Sequence, residues 1–411
     1  MKKVLIFSLA YYPKHIGGAE VAIREITDRI SPGEMEFHLI CNRYDSSLPR
    51  VERIGNVTVH RIGITVAHPT MAHLRQWPLH INKLLFQFSA FWKAWMLHTE
   101  YHFDATWAMM AHATGVPAAL FKIVFPKVTY ILTLQEGDPP EYIERKMRWF
   151  GPLFRYAFTK ADQIQAISTF LAQWARHMGA HCPIEVVPNA VDVERFSQHI
   201  SSTDVVAIRK EFGVRSEDVV LITTSRLVHK NAIDDVIRAL THLPEFVRFV
   251  VFGTGPDDVM LKNLAVACGV DGRVDFRGQA EHADLPRYLA ASNIFIRPSR
   301  SEGMGNSFIE AMATRIPVIA TQEGGIADFL FDEKRNPDMG ATGWAVDANN
   351  PKQIAEAVQD IITHPEKVRE ITARAHKLVS THYDWDIIVK SMRQRVFASI
   401  NESTHENNTH D

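Results

Sequence analysis

RPSRSEGMGNSFIEAMATRIPVIAT (297–321) is the stretch on which the fold turns. A strand-like run ends near Arg297, a glycine-containing loop follows, and a helix begins near Asn306, a good N-cap residue. Ile309, Met312 and Ala313 form the buried stripe of that helix, and Val318–Ala320 reads as the next strand. Strand, loop, helix and strand in this order make one βα unit of a parallel sheet. Met304, Gly305 and Asn306 offer backbone N–H groups at the helix start, which carries about half a positive charge and suits phosphate. Glu302 and Glu310 lie in the same stretch with seven residues between them. Carboxylates beside an anion site make sense when they accept hydrogen bonds from hydroxyls, such as those of a sugar or ribose. Taken alone, the stretch reads equally well as an ordinary βα turn with two surface glutamates.

The same alternation runs through the whole chain. Val4–Ser8, Phe37–Cys41, Val57–Ile62, Ala105–Met109, Thr129–Thr133 and Gln163–Ile167 read as strands in the first half. Val219–Thr224, Arg248–Phe252, Arg273–Phe276, Ile294–Arg297 and Val318–Ala320 do so in the second. Continuous apolar runs, rather than period-2 alternation, belong to strands covered on both faces. The class is therefore α/β, with right-handed crossovers. So many strands exceed one comfortable sheet, and VVPNAVDVERF (186–196) followed by the polar SQHISSTD marks a break near 188–200. Two doubly wound parallel-sheet domains are expected, over 1–190 and 191–384. A C-terminal helix over 385–400 follows, with Ile387, Ile388, Met392 and Val396 at helical spacing and its docking side left open. The polar tail 401–411 is expected to be flexible.

Composition narrows the class of function. The 411 residues are 46% hydrophobic and 22% charged, with a net charge of −2, which excludes a disordered or collagen-like chain and argues against a dedicated nucleic-acid binder. Residues 1–190 hold 20 Lys and Arg against 15 Asp and Glu, whereas 191–411 hold 25 against 32, so the first half is the one suited to an anionic partner. Three isolated cysteines, Cys41, Cys182 and Cys268, make neither a disulfide framework nor a metal pair, as in a reducing compartment. MKKVLIFSLA has the charge and apolarity of a weak signal peptide but no cleavage site after it, and reads better as a buried first strand. The longest uncharged stretch, Ala105 to Phe121, falls short of the ~20 residues of a membrane span.

Two further segments carry chemistry. TTSRLVHKNAIDDVIRAL (223–240) is a strand, a short loop with Arg226 and Lys230, and a helix starting near Asn231. Cations at the carboxyl end of a parallel strand face the crevice where open α/β sheets bind ligands. At ~4 Å each unit charge pair is worth about 4 kcal/mol at an effective dielectric of 20, enough for two cations to hold a diphosphate. The bland alternative is a pair of surface cations. In YYPKHIGGAEVAIREI (11–26), Gly17 and Gly18 precede a helix with Val21, Ala22 and Ile26 on one face. Adjacent glycines permit positive φ and close approach to a ligand, although such a pair is most often only a turn.

In this order and spacing, the three segments resemble family 4 retaining glycosyltransferases of the GT-B fold. The similarity extends through GGAE (17–20), PNAVDVERF (188–196), SRLVHK (225–230), FGTGPD (252–257), VDFRGQ (274–279) and the E-x7-E run SEGMGNSFIEAMATRIPVIAT (301–321). It implies two Rossmann-like domains facing across a cleft, a nucleotide-diphosphate sugar as donor substrate, and no separate cofactor. It implies that Arg226 and Lys230 neutralise the diphosphate, that Glu310 accepts from the ribose hydroxyls, and that Glu302 contacts the donor sugar. Gly17, Gly18, Gly303, Met304, Gly305 and Asn306 would join the donor site, with the base near Arg277. His112, after the strand FDATWAMM, stands where the family often has an active-site histidine. Many relatives have another histidine where this chain has LQEGDPPEY (134–142), which leaves Glu136 and Asp138 as acceptor-side candidates. A bystander histidine and a Pro-containing turn are the plain alternatives. No metal is required on this reading, and Asp384-Trp385-Asp386 is taken as a helix start.

The acceptor is expected to be a saccharide or lipid-linked saccharide of bacterial cell-surface polysaccharide, lipopolysaccharide or glycolipid synthesis. LHINKLLFQFSAFWKAWMLH (79–98) and EYIERKMRWFGPLFRYAFTK (141–160) mix aromatic and basic residues, as helices in a membrane interface do; the alternative is core-facing aromatics under solvated charges. The expectation is a cytoplasmic enzyme in peripheral contact with anionic lipid on the inner face of the plasma membrane, with no nucleic-acid partner. Competing readings keep the fold but change the role: a sugar-nucleotide epimerase or hydrolase, or a non-catalytic sugar-nucleotide-binding partner. A nicotinamide enzyme is disfavoured, since the first strand lacks GxGxxG and Gly253-Thr-Gly255 lacks the third glycine.

Overall fold

A computed structural model describes residues 1–14, 17–69, 73 and 76–400; the tail 401–411 lies outside them. The chain forms two compact units, Met1–Pro188 with the segment from Trp385 onward, and Asn189–Asp384.

In chain order, unit 1 holds β1 (Lys2–Phe7), α1 (Gly18–Asp28), β2 (Met35–Asn42), β3 (Val51–Ile54), β4 (Val57–Ile62), α2 (Asn82–Tyr101) and β5 (Ala105–Met109). It continues with α3 (Val116–Val124), β6 (Thr129–Leu134), α4 (Pro140–Met147), α5 (Gly151–Thr159), β7 (Gln163–Ala166), α6 (Thr169–His177) and β8 (Ile184–Val186). The sheet order is β3-β4-β2-β1-β5-β6-β7-β8. Val4 to Phe7 are wholly buried because β1 is central, paired in parallel with β2 on one side and β5 on the other. Strand order reverses beside β1, so the carboxyl ends of β1 and β5 flank the switch point where such sheets hold ligands.

Unit 2 holds α7 (Val193–Phe196), α8 (Ser202–Glu211), β9 (Val219–Thr224), α9 (Ile233–Ala239), β10 (Val247–Phe252), α10 (Asp258–Ala267), β11 (Val274–Gly278) and α11 (Leu285–Ala290). After these come β12 (Ile294–Arg297), α12 (Asn306–Ala313), β13 (Val318–Ala320), β14 (Trp344–Ala345), α13 (Pro351–Thr363) and α14 (Pro365–His382). Its sheet runs β11-β10-β9-β12-β13-β14, with the reversal between β9 and β12. Leu221, Val236, Ile237, Phe249, Ile294 and Ile319 close its core, each aliphatic side chain contributing about 1.5–3 kcal/mol by leaving water.

Three strands are absent from the sequence reading: β3, β8 and β14. Each is two to four residues long, and β3 is an edge strand paired antiparallel to β4, so none carries a long apolar run. After α14 come α15 (Trp385–Ser391) and further helical turns over Met392–Ser399, which belong to unit 1. Phe397 packs edge-on to Trp107, with ring centroids 5.2 Å apart, and Arg393 donates to Glu34 at 2.6 and 3.0 Å. Ile388, Met392 and Val396 are buried, but Ile387 faces outward. Asp386 accepts from Arg29 at 3.1 Å.

Candidate functional site

The switch point of unit 2 gathers the two charged loops. After β9, Arg226 is exposed, and Lys230 lies half-buried on a single turn of 3-10 helix, His229–Asn231. The Asn231 amide donates to the Arg226 carbonyl at 2.7 Å and holds the loop closed. After β12, residues 298–305 lead into α12. The sequence reading makes Asn306 the cap of this helix, but Gly305 holds that position, at φ +86°. A Cβ on Gly305 would lie 2.6 Å from both Arg297 Nη2 and Phe308, so side-chain-free backbone is required there. No side chain caps the helix, whose first N–H groups therefore remain suited to an anion. Gly303 and Met304 are buried beneath it.

Arg300 fastens one loop to the other. Its backbone N–H donates to the Lys230 carbonyl at 2.7 Å, and its guanidinium reaches Asp234 at 2.9 and 3.0 Å, Asp235 at 2.9 Å and the His229 carbonyl at 2.6 Å. Burial opposes the charge on Arg300, and Asp234 and Asp235 more than offset it, so its pKa rises. The pKa of Asp235 is also raised, by burial and by its neighbour Asp234. Asp234, with two short contacts and less burial, is accordingly the main counter-charge.

Arg297, at the end of β12, lies at the centre of the charged group. Its guanidinium donates to Glu302 at 2.9 Å and sits 4.2 Å from the Phe308 ring centroid. Burial pulls its pKa down, Glu302 and Glu310 push it back up, and Arg226 lowers it again. One buried cation thus senses both carboxylates of the E-x7-E run and the cation of the neighbouring loop. His282 Nε2 stands 3.1 Å from Glu310 Oε1, and Asn189 donates to the Asn306 side chain at 3.3 Å. Among the described residues, Thr223, Ser299 and Ser307 each bury a hydroxyl with no hydrogen-bond partner, as does Arg297 its Nε. Buried polar atoms are ordinarily bonded, so these four are exceptions.

The glycines of FGTGPD have a role that the sequence reading leaves unassigned. A Cβ on Gly253 would lie 1.7 Å from the Ser225 carbonyl oxygen, and one on Gly255 would lie 2.1 Å from that of Leu227. The two loops run backbone against backbone, with Leu227 N–H on the Thr254 carbonyl at 3.0 Å and Asp257 N–H on the Leu227 carbonyl at 3.1 Å. Arg277 is engaged elsewhere. Its guanidinium donates to the Glu211 carboxylate at 2.6 Å and to Asp275 at 3.0 Å, and packs over Phe212. This ties edge strand β11 to α8.

At the switch point of unit 1, Gly17 and Gly18 start α1. Positive φ is not used at Gly17, which is extended at φ −128°. Its N–H donates to buried Glu20 at 2.7 Å, and burial raises that carboxyl's pKa. His112 follows β5 in a wide π-helical turn, Ala111–Gly115, entered through Met110 at φ +69°. Its Nδ1 lies 3.3 Å from Oε1 of Glu136, whose side chain is fully buried. The other Glu136 oxygen accepts from Gln135 N–H at 3.0 Å. Asp138 is half-buried two residues on.

Comparison with known proteins places this geometry. The family model "Glycosyl transferases group 1" matches residues 204–378, and "Glycosyltransferase Family 4" matches 16–195. The chain belongs to the family 4, group 1 glycosyltransferases. Among members of the family, it is 28% identical over 242 residues to the GDP-mannose-dependent monoacylated alpha-(1-6)-phosphatidylinositol monomannoside mannosyltransferase of Corynebacterium glutamicum. That match covers 56% of this chain and spans 60% of the length of the relative. It is 23% identical to an uncharacterized glycosyltransferase of Methanocaldococcus jannaschii, over 94% of this chain and 96% of that one. Sucrose-phosphate synthase from Thermosynechococcus elongatus superposes with a TM-score of 0.81 at 18% identity, covering 97% of this chain and 100% of that one. Anabaena Alr3699/HepE, in complex with UDP and glucose, gives 0.74 at 20%, with the same coverage. At these identities the likeness establishes the fold, GT-B, with two parallel-sheet α/β domains.

Proposed function

We propose that the chain is a nucleotide-sugar-dependent, retaining glycosyltransferase that needs no metal. It would move a sugar from a nucleotide-diphosphate donor to a saccharide or lipid-linked saccharide of bacterial cell-surface polysaccharide or glycolipid synthesis. The observation that carries the proposal is the buried Arg297 guanidinium at the end of β12, held 2.9 Å from Glu302 of the E-x7-E run. Arg300 draws the Lys230 loop to the same place.

In this reading Arg226, Lys230 and the start of α12 take the diphosphate, Glu310 takes the ribose hydroxyls, and Glu302, aimed by Arg297, takes the donor sugar. The bond between the anomeric carbon and the phosphate oxygen breaks, and the acceptor oxygen bonds to that carbon on the same face. The hydroxyl proton passes to the departing phosphate. Charge growing on that phosphate meets fixed cations and N–H groups that need no rearrangement, which is the usual large term in enzymic rate enhancement. The pair His112–Glu136 serves the acceptor side.

The test begins with thermal shifts against uridine-, guanosine-, adenosine- and cytidine-linked sugars. One family of donors should raise the unfolding temperature, since a ligand at a hundred times its Kd adds about 2.7 kcal/mol. NMR of the first product formed with that donor should show the anomeric configuration conserved. Stabilisation by none of the donors, or an inverted product, contradicts the proposal.

A further inference from the structure

The two acids of the E-x7-E run are held by different partners. Glu302 accepts from Arg297 at 2.9 Å. Glu310 has no Lys or Arg bonded to it. Among the described residues its carboxylate meets one hydrogen-bonding group, His282 Nε2, 3.1 Å from Oε1. The acid is 11% exposed and the imidazole 50%, so the contact joins a nearly buried carboxylate to a side chain that can be replaced without opening the core. Glu310 lies one turn into α12, and helical side chains lean toward the helix start, here the end that suits a phosphate. His282 comes from the loop between β11 and α11. Strands β11, β10, β9 and β12 are parallel, so this loop opens at the same sheet edge as the loops after β9 and β12. Arg195 of α7 donates to the His282 carbonyl at 2.6 Å, and Asp284 N–H closes a turn on the Glu281 carbonyl at 2.9 Å. The buried ring of Phe196 lies 5.7 Å from the imidazole, centroid to centroid. Backbone and ring of His282 are thus both supported from within unit 2.

The last torsion of a glutamate has no sharply preferred angle. Burial on α12 therefore fixes where the Glu310 carboxyl carbon lies, but not which way its oxygens point. A hydrogen bond to one oxygen sets that angle and decides where the other can accept. We infer that His282 is a positioning residue for ribose recognition: with its imidazole hydrogen on Nε2 it donates to Oε1 and fixes the plane in which Glu310 meets the hydroxyls of the donor nucleotide. His282 is then to Glu310 what Arg297 is to Glu302. The inference rests on the role proposed above for Glu310 and adds a residue that acts on the ribose through that acid.

UDP, GDP, ADP and CDP are titrated calorimetrically into the full chain. The one that binds most tightly is then compared with its 2′,3′-dideoxy form, which lacks both ribose hydroxyls. Wild type should prefer the ribose form by about tenfold or more, since hydrogen bonds to a charged acceptor are the strong ones. His282→Ala should weaken the ribose form by about three- to tenfold and leave the dideoxy form within about twofold. His282→Gln, whose amide nitrogen can stand where Nε2 does, should recover most of that loss. In a Glu310→Ala background, His282→Ala should change nothing further. Thermal unfolding checks that the variants fold. Should the alanine chain not fold, His282→Asn, one carbon shorter than glutamine, takes its place and should show the same selective loss. A histidine that merely supports the loop would weaken both forms alike, and that result overturns the inference. So does wild-type affinity for the ribose form after His282→Ala. If Glu310→Ala loses the ribose preference while His282→Ala keeps it, the positioning role fails and the role of the acid stands. If Glu310→Ala keeps the preference, or no nucleotide binds the wild type, the reading of Glu310 fails and takes this inference with it.

Discussion

Lys230→Ala is expected to lower turnover by about 10²–10³-fold, the usual cost of removing one preorganised group that stabilises charge in the transition state. The backbone that carries the side chain is held in place. Lys230 sits on a turn whose carbonyl accepts the Arg300 N–H, and Arg300 is itself fixed by Asp234 and Asp235. The Lys230 backbone is thus fixed before a donor binds, and the proposed function gives the side chain a transition-state role. In the proposed mechanism it acts where negative charge grows, on the departing diphosphate. Turnover and turnover over KM should therefore fall by equal factors, with nucleoside diphosphate affinity changing far less. Steady-state kinetics beside calorimetry measures both. A rise in KM alone would show that Lys230 merely holds the donor.

Arg297→Met should have the largest effect on stability. It leaves the Glu302 carboxylate, 14% exposed, without the guanidinium 2.9 Å away, and breaking one side of a buried ion pair costs about 3–5 kcal/mol. Removing the acid as well relieves the orphaned charge. Arg297→Met with Glu302→Gln should thus be less destabilised than the sum of the single changes. Equilibrium urea unfolding of the four chains gives the coupling. Additive losses, or an unperturbed Arg297→Met, would mean that Glu302 is not aimed by Arg297.

Much of this architecture could be read before any coordinates, for a definite reason. Central strands such as β1, β5, β9 and β12 are covered on both faces and leave continuous apolar runs. The loops after β9 and β12 announce themselves because cations and glycines there interrupt an otherwise apolar pattern. The short edge strands β3, β8 and β14 leave no such run. In the candidate site, Arg226, Lys230, Glu302 and Glu310 stood out by type and spacing. Arg297, Arg300 and His282 did not, since their partners lie across loops or far along the chain, as Glu310 does from His282 and Asp234 from Arg300. Close approach between backbones is equally silent in sequence. Gly253 looked like part of an incomplete dinucleotide motif, yet its requirement is set by the carbonyl of Ser225. Gly17, by contrast, looked like a site of positive φ and is extended.

The most direct test of the account is titration calorimetry of the full chain with the nucleoside diphosphate of its preferred donor, for wild type and Glu310→Ala. Loss of an ionised acceptor for the ribose hydroxyls should cost about 1.5–3 kcal/mol, or roughly 10- to 150-fold in Kd. Binding that weakens by this factor is the predicted result; equal affinity in the two proteins, or no nucleotide binding in either, would contradict it.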